Sequence, residues 1–176
     1  MSMKQDVQTV APDGSRLAPL PDGMVVRDLV THVDERGTVC ELYDARWGVH
    51  PDPLVFAYTF TIRPGQAKGW GMHKRHDDRY AFLAGELELV LFDARAPEAS
   101  GTAGQESRIV LSAYHRRLVT IPAGVWHAER NLSHSDDVVV LNFPTIPYDH
   151  TAPDKYRLPL DTDELPVALG PGWLGW

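Results

Sequence analysis

An all-β domain closed as a sandwich or barrel is the fold this sequence predicts, on three observations. Short segments rich in β-branched and aromatic residues follow one another, separated by Gly and Pro. The clearest of them alternate with period two. In "YTFTI" every second side chain shares a face, and in "ELELVL" Leu87, Leu89 and Leu91 fall on one side while Glu86 and Glu88 fall on the other. Helical periodicity with capping signals is absent from the middle of the chain, so the apolar faces of strands have only one another to pack against.

In chain order, residues 1–22 are polar and carry Pro and Gly in "APDGSRLAPLPDG", which predicts a loose arm. The domain proper is expected over residues 23–176. "MVVRDLVTHV" and "GTVCELYDA" read as the first β segments, followed by "LVFAYTFTIRPG" and the long run "RYAFLAGELELVLFDAR". "PEASGTAGQES" is small and Gly-rich, an exposed loop. "SRIVLSAYH", "RLVTIPAG" and "VVVLNFPT" then continue the β pattern. Pro64, Pro122 and Pro144 stand at segment ends, where a missing N–H costs a sheet nothing. The stretch from about 146 to 176 holds five prolines and little periodicity. It cannot form a core of its own and is expected to wrap over the barrel.

The chain has 176 residues, 43% apolar and 23% charged, and fits one domain able to bury a core without staples. Its net charge of -7 argues against nucleic acid and anionic membrane as partners, while leaving room for an anionic small molecule in a locally basic pocket. The lone Cys40, in an apolar run, cannot form an internal disulfide. Neither a membrane span nor a secretory leader is apparent, and a cytoplasmic protein is the expectation.

Chemistry concentrates in "PGQAKGWGMHKRHDDRYAFLAG". Gly65, Gly71, His73, Asp78 and Gly85 follow the spacing of the first cupin motif, G-x5-H-x-H-x(3,4)-E-x6-G, with Gly71 at its first histidine and Asp78 at its glutamate. "IPAGVWHAERN" supplies the second, P-x-G-x2-H-x3-N, at Pro122, Gly124, His127 and Asn131. The two motifs in order, on a β-rich chain, resemble the cupin superfamily, which implies a double-stranded β-helix or jelly-roll barrel with its histidines converging near the mouth. Within it, "DERGTVCELYD", "GMH" and the tail "YDHTAPDKYRLPLDTDELP" resemble the dTDP-4-dehydrorhamnose 3,5-epimerase family. Three positions depart from that family's pattern. Asp78 stands for a lysine, Leu141 or Asn142 for the catalytic tyrosine, and Trp70 for an arginine.

The resemblance implies a cofactor-free epimerase acting next to the ketone of a nucleotide-linked 4-keto sugar, and a homodimer paired through N-terminal strands. His73 becomes the general base, with His127 as a polar partner and Asp161 as the carboxylate that orients the imidazole. Asp78 is the alternative orienting group by its place in the motif. Arg36 falls where the family contacts the nucleotide diphosphate. Arg75, Arg79 and Tyr148 complete the expected substrate-binding set, and Tyr58 and Tyr80 are further candidate proton donors. Two other readings compete. His73, Asp78 and His127 form a donor set able to hold Fe(II), Mn(II), Ni(II) or Zn(II) in a metal-dependent cupin. A non-catalytic small-molecule-binding cupin is the third. His76, three residues past His73, should point to the opposite strand face and into solvent, and the remaining histidines read as surface groups.

Overall fold

Turn residues cut the described part of the chain, residues 3, 5–6 and 8–175 of the computed structural model, into short strands. In order these are β1 (Val26–Asp28), β2 (Thr31–Asp34), β3 (Gly37–Cys40), β4 (Tyr58–Ile62), β5 (Ala67–Met72) and β6 (Asp78–Ala84). Then follow β7 (Glu86–Asp93), β8 (Glu106–Ser112), β9 (Arg117–Ile121), β10 (Val125–Asn131), β11 (Val138–Asn142) and β12 (Tyr156–Leu158). A single 3-10 turn, Ala45–Trp47, interrupts them. None of these elements is a helix long and apolar enough to cross a membrane.

Two five-stranded antiparallel sheets form the barrel: β1-β9-β6-β11-β4 and β12-β5-β10-β7-β8. β2 and β3 make a separate hairpin. This is the cupin jelly roll that the motifs imply. Gly85 shows how a turn residue sets the architecture. Its φ of +85° is left-handed, and a Cβ there would meet the Asp137 carbonyl oxygen at 2.9 Å. Only glycine fits, and the chain therefore leaves β6 in one sheet and enters β7 in the other.

Alternation does the rest. Leu87, Leu89 and Leu91 are fully buried between the sheets, against a cluster that includes Phe82, Leu111, Val119 and Val140. Each such leucine contributes ~1.5–3 kcal/mol relative to exposure. On the outer face of β7, Glu88 pairs with Arg130 at 2.6 Å and Arg108 at 3.3 Å.

The second sheet is covered on its outer face too. Leu158, Leu160, Leu165, Val167, Leu169 and Trp173 of the tail pack over Trp70, Val90 and Ala128. At the other terminus, Arg16 donates to the Arg108 carbonyl, the Pro19 carbonyl accepts from Ser107, and the Asp22 N–H donates to Thr102. Residues 16–22 of the expected arm are thus tied to β8 and the loop before it.

Three features differ from the sequence-based expectation. "MVVRDLVTHV" divides into β1 and β2, which join different sheets. "AKGWGM" is a strand despite its two glycines, because β10 and β12 pair with it on both sides. β12 itself arises in the tail where no strand was expected.

Candidate functional site

β5 ends at Met72, and the next residue, His73, turns into a cavity of about 370 Å³ between the β4 edge of one sheet and the β5–β12 edge of the other. Tyr58, Lys68, Gly71, Tyr80, His127, Glu129, Lys155 and Arg157 line it as well. A second, more apolar cavity of about 290 Å³ shares Tyr58, His73 and Lys155 with the first and adds Phe56, Arg75, Pro147 and Tyr148.

His73 is hydrogen-bonded at Nδ1, while its Nε2 stands against a carboxylate without a hydrogen bond. Nδ1–H donates to the Asp154 backbone carbonyl at 2.5 Å, and Nε2 lies 3.2 Å from Asp78 Oδ2. Burial alone would lower the imidazole's pKa, but the Asp78 carboxylate and the Asp154 carbonyl outweigh it and hold the ring above its ordinary value. Asp78 is fully buried, which by itself would favour its neutral form. The His73 imidazolium beside it and a 2.6 Å hydrogen bond from Asn142 reverse that and keep it an anion.

Asn142 links this pair to a phenol. The same Nδ2 that donates to Asp78 Oδ1 also donates to Tyr58 Oη at 3.0 Å. Tyr58 and Asn142 are register partners on β4 and β11, so their side chains share the barrel-facing side. Tyr58 accepts from the amide, and its own O–H remains free to donate into the cavity. Burial and the nearby Asp78 charge push its pKa up to about 12, so it rests as a neutral phenol.

His127 faces the same space. Nδ1–H donates to the Val125 carbonyl, leaving Nε2 unprotonated 3.7 Å from Asp78 Oδ2. Burial and the neighbouring His73 charge bring its pKa down to about 4. Gly71 makes room for this ring: a Cβ there would stand 3.3 Å from His127 Nε2. Below it, Tyr80 Oη donates to Glu129 Oε1 at 3.1 Å.

Of the residues the sequence singled out, the fold gathers His73, His127 and Asp78, and it places Arg75 and Tyr148 around the second cavity. Other expectations are corrected. Asp161 is exposed in a turn after β12 and touches no histidine. The tail residue that reaches His73 is Asp154, seven positions earlier. Arg79 follows Asp78 on β6 and so faces the other way. Its guanidinium is fully buried among the carbonyls of Asp52, Pro53, Phe143 and Pro144, a structural role with no access to substrate.

Arg36 sits at the tip of the β2–β3 hairpin, 82% exposed and paired with Asp34, and lines neither cavity of its own barrel. His76 is not solvated. The chain has left the strand by Met72, so alternation lapses. Its ring stacks 4.1 Å from that of His73, and Nδ1–H donates to Asp154 Oδ2 at 2.9 Å. His50, read as a surface group, is half-buried and bonded to Asp77. Asp154, Glu129 and the Asn142 bridge escaped sequence reasoning.

For a metal, the cluster whose donor atoms lie within 4.8 Å of one another is His73, His76 and Asp78, without the expected His127. Asp154 takes Nδ1–H of both its histidines, which leaves their Nε2 atoms as the possible donors, and Asn142 occupies one Asp78 oxygen. Among the described residues the expected trio of His73, Asp78 and His127 is not assembled as a ligand set.

No protein-family profile matches the chain. It is 30% identical over 146 residues to the spore coat polysaccharide biosynthesis protein SpsL of Bacillus subtilis, covering 82% of this chain and 93% of SpsL. It is 29% identical over 138 residues to a Haloferax volcanii protein named "Probable low-salt glycan biosynthesis epimerase Agl13", covering 77% of this chain and 86% of that one. Among solved structures, a dTDP sugar isomerase from Desulfovibrio desulfuricans G20 superposes with a TM-score of 0.76 at 24% identity. That match covers 86% of this chain and 94% of the isomerase.

Proposed function

This chain belongs to the dTDP-4-dehydrorhamnose 3,5-epimerase-like family of cupin-fold sugar epimerases, and we propose that it inverts a carbon next to the ketone of a nucleotide-linked 4-keto sugar by metal-free proton transfer. One observation carries this reading: a histidine held between a buried carboxylate and a backbone carbonyl, joined through one amide to a neutral phenol on the same cavity.

His73 Nε2, once unprotonated, takes the proton from the carbon α to the ketone, and the electron pair passes to the carbonyl oxygen as an enolate. Asp78 stabilises the imidazolium so formed. Lys155, which lines both cavities, is the cation placed to stabilise the enolate oxygen. Tyr58 delivers a proton to the other face of the carbon and is reprotonated from solvent, to which it is partly open. In this scheme the phenol comes from β4, one strand over from Asn142, where the family pattern would place it.

Lys68 and Arg157 form the basic rim suited to a diphosphate. Phe56 and Tyr148, with Arg75 beside them, give the second cavity the aromatic walls that suit a nucleoside. A homodimer is the assembly we propose. The β2–β3 hairpin and its approach expose Val30, Val33 and Val39 at 68–74%, more apolar surface than a free hairpin should show. Pairing through it would hide those valines and bring Arg36 toward the cavity of the second copy. A nucleotide-sugar substrate and a lone thiol fit the cytoplasm.

The test is incubation of the protein with dTDP-4-keto-6-deoxyglucose in D2O, followed by NMR. Deuterium should enter next to the ketone, at the same rate with and without EDTA. Absence of exchange, or its loss on chelation, would remove the proposal.

A further inference from the structure

The proton-transfer scheme leaves Glu129 without a task. It follows His127 by two residues on β10, so its side chain returns to the barrel-facing side and lines the main cavity. Its register partner on β5 is Lys68, whereas His127 pairs with Gly71 and His73 lies beyond the strand's end. His127, whose ring centroid is 5.7 Å from that of His73, stands between Glu129 and the base along β10. Glu129 is therefore set two residues farther along the strand from the base than His127 is. A proton donor must lie within hydrogen-bond reach of the reacting atom, and this position suits recognition instead.

The residue is 4% exposed, yet among the described residues a single carboxyl oxygen has a hydrogen-bond partner, Oε1 with Tyr80 Oη–H. Among the described residues no cation lies within ion-pair distance of it, and Oε2 takes no hydrogen bond. Glu129 lines the main cavity, where Oε2 can meet a ligand hydroxyl. Burial pushes the carboxyl up to about 7, against the Tyr80 hydrogen bond and the Lys68 and Lys155 charges. Near neutrality such a group both donates and accepts, as a sugar hydroxyl does.

We propose that Glu129, held in place by Tyr80, is a specificity-determining residue that hydrogen-bonds a hydroxyl of the bound sugar remote from the carbon at which His73 acts, and so selects the hydroxylated sugar over its deoxy counterpart. The inference rests on the reading of the ligand as a nucleotide sugar. A deoxy sugar would leave Oε2 desolvated and unpartnered, a loss of ~5- to 100-fold in affinity.

Calorimetric titration with dTDP, dTDP-glucose and its 2-deoxy and 3-deoxy analogues tests it on wild type, E129L and E129Q. One deoxy analogue should bind wild type at least ~5-fold more weakly than dTDP-glucose does. E129L should erase that gap, E129Q should keep most of it, and dTDP alone should bind all three alike. No gap in wild type, or a gap that persists in E129L, overturns the proposal. Failure of every nucleotide to bind would instead sink the nucleotide reading. A sugar-only probe then still tests Glu129: methyl glucoside added to protein labelled with 13C-glutamate, whose Glu129 carboxyl signal is the one missing from E129Q. A shifted signal supports the assignment, and an unmoved one overturns it.

Discussion

β10 divides the barrel interior into two halves of opposite chemistry. On one side, β7 sets Leu91 beside His127 and Leu89 beside Glu129, and the space beyond is closed by Leu111 and Ile109. On the other side, β5 sets Gly71 beside the same His127 and leaves a cavity lined by ionisable groups. Both strands are paired on either side, β7 in continuous register with β10 and β5 with a register shift between His127 and Glu129. Side-chain volume differs as well: leucines fill one half, and glycine leaves the other open. The active cavity is made by omission on a single strand, and polar residues from its neighbours converge on the space.

Adjacent residues of β6 repeat the contrast across the thickness of a sheet. Arg79, on the outer side, is buried with its donors satisfied by fixed carbonyls, so its charge is locked into structure. Asp78, on the inner side, is buried among groups that can gain or lose protons. Buried charge alone therefore does not mark function. The partners decide it.

Substitutions can break each side of this contrast. The largest effect is expected from Asp78→Asn, which removes the counter-charge of His73 while keeping its size. The rate kcat/KM should fall ~10²–10⁴-fold, by analogy with the loss of an orienting carboxylate. The pH profile should move with it. In wild type His73 is held above its ordinary pKa and must be neutral to act, so activity should rise with pH through an apparent value above 6.5. In Asp78→Asn burial is no longer outweighed, and that acid limb should shift to lower pH. An unshifted limb would detach Asp78 from His73.

On the filled side, Leu111→Ala should cost ~2–5 kcal/mol of stability in a denaturant titration while leaving kcat per folded molecule nearly unchanged. Tyr58→Phe sharpens the open side. It should slow inversion by ~10²-fold or more, yet leave solvent exchange through His73, because removal and return on one face need no second acid. Equal loss of both would move the donor role elsewhere. Gly71→Ala should have the smallest effect. Its methyl would crowd His127 Nε2 at 3.3 Å, and crystallography should find that ring displaced by a few tenths of an ångström with less than about a tenfold change in kcat/KM.

Much of the fold was legible because turns and alternation are local. "ELELVL" and "YTFTI" declare their faces in a handful of residues, and two spaced Gly/His motifs fix the barrel. "AKGWGM" was not legible, since its strand depends on β10 and β12, which lie far away in sequence. The site divides in the same way. His73, His127 and Asp78 were found by spacing. Asp154 was missed for Asp161 because the tail has no period from which to count. Arg79 was a parity error that alternation could have prevented, since neighbours on a strand cannot both face one cavity. Tyr58 was among the candidate donors, but its link through Asn142, like the place of Glu129, acquires meaning only when β11, β4 and β10 are brought together, a fact about topology that no local pattern contains.

The central claim is that His73 is the base, and the most direct measurement follows solvent deuterium into the carbon next to the ketone of dTDP-4-keto-6-deoxyglucose, by NMR, in wild type and His73→Asn. Asparagine keeps a hydrogen-bonding group of similar size and removes the basicity. Exchange should fall by ~10²–10⁴-fold while calorimetric binding of dTDP stays near the wild-type value. Exchange that continues at the wild-type rate in His73→Asn, with nucleotide bound, would contradict the account.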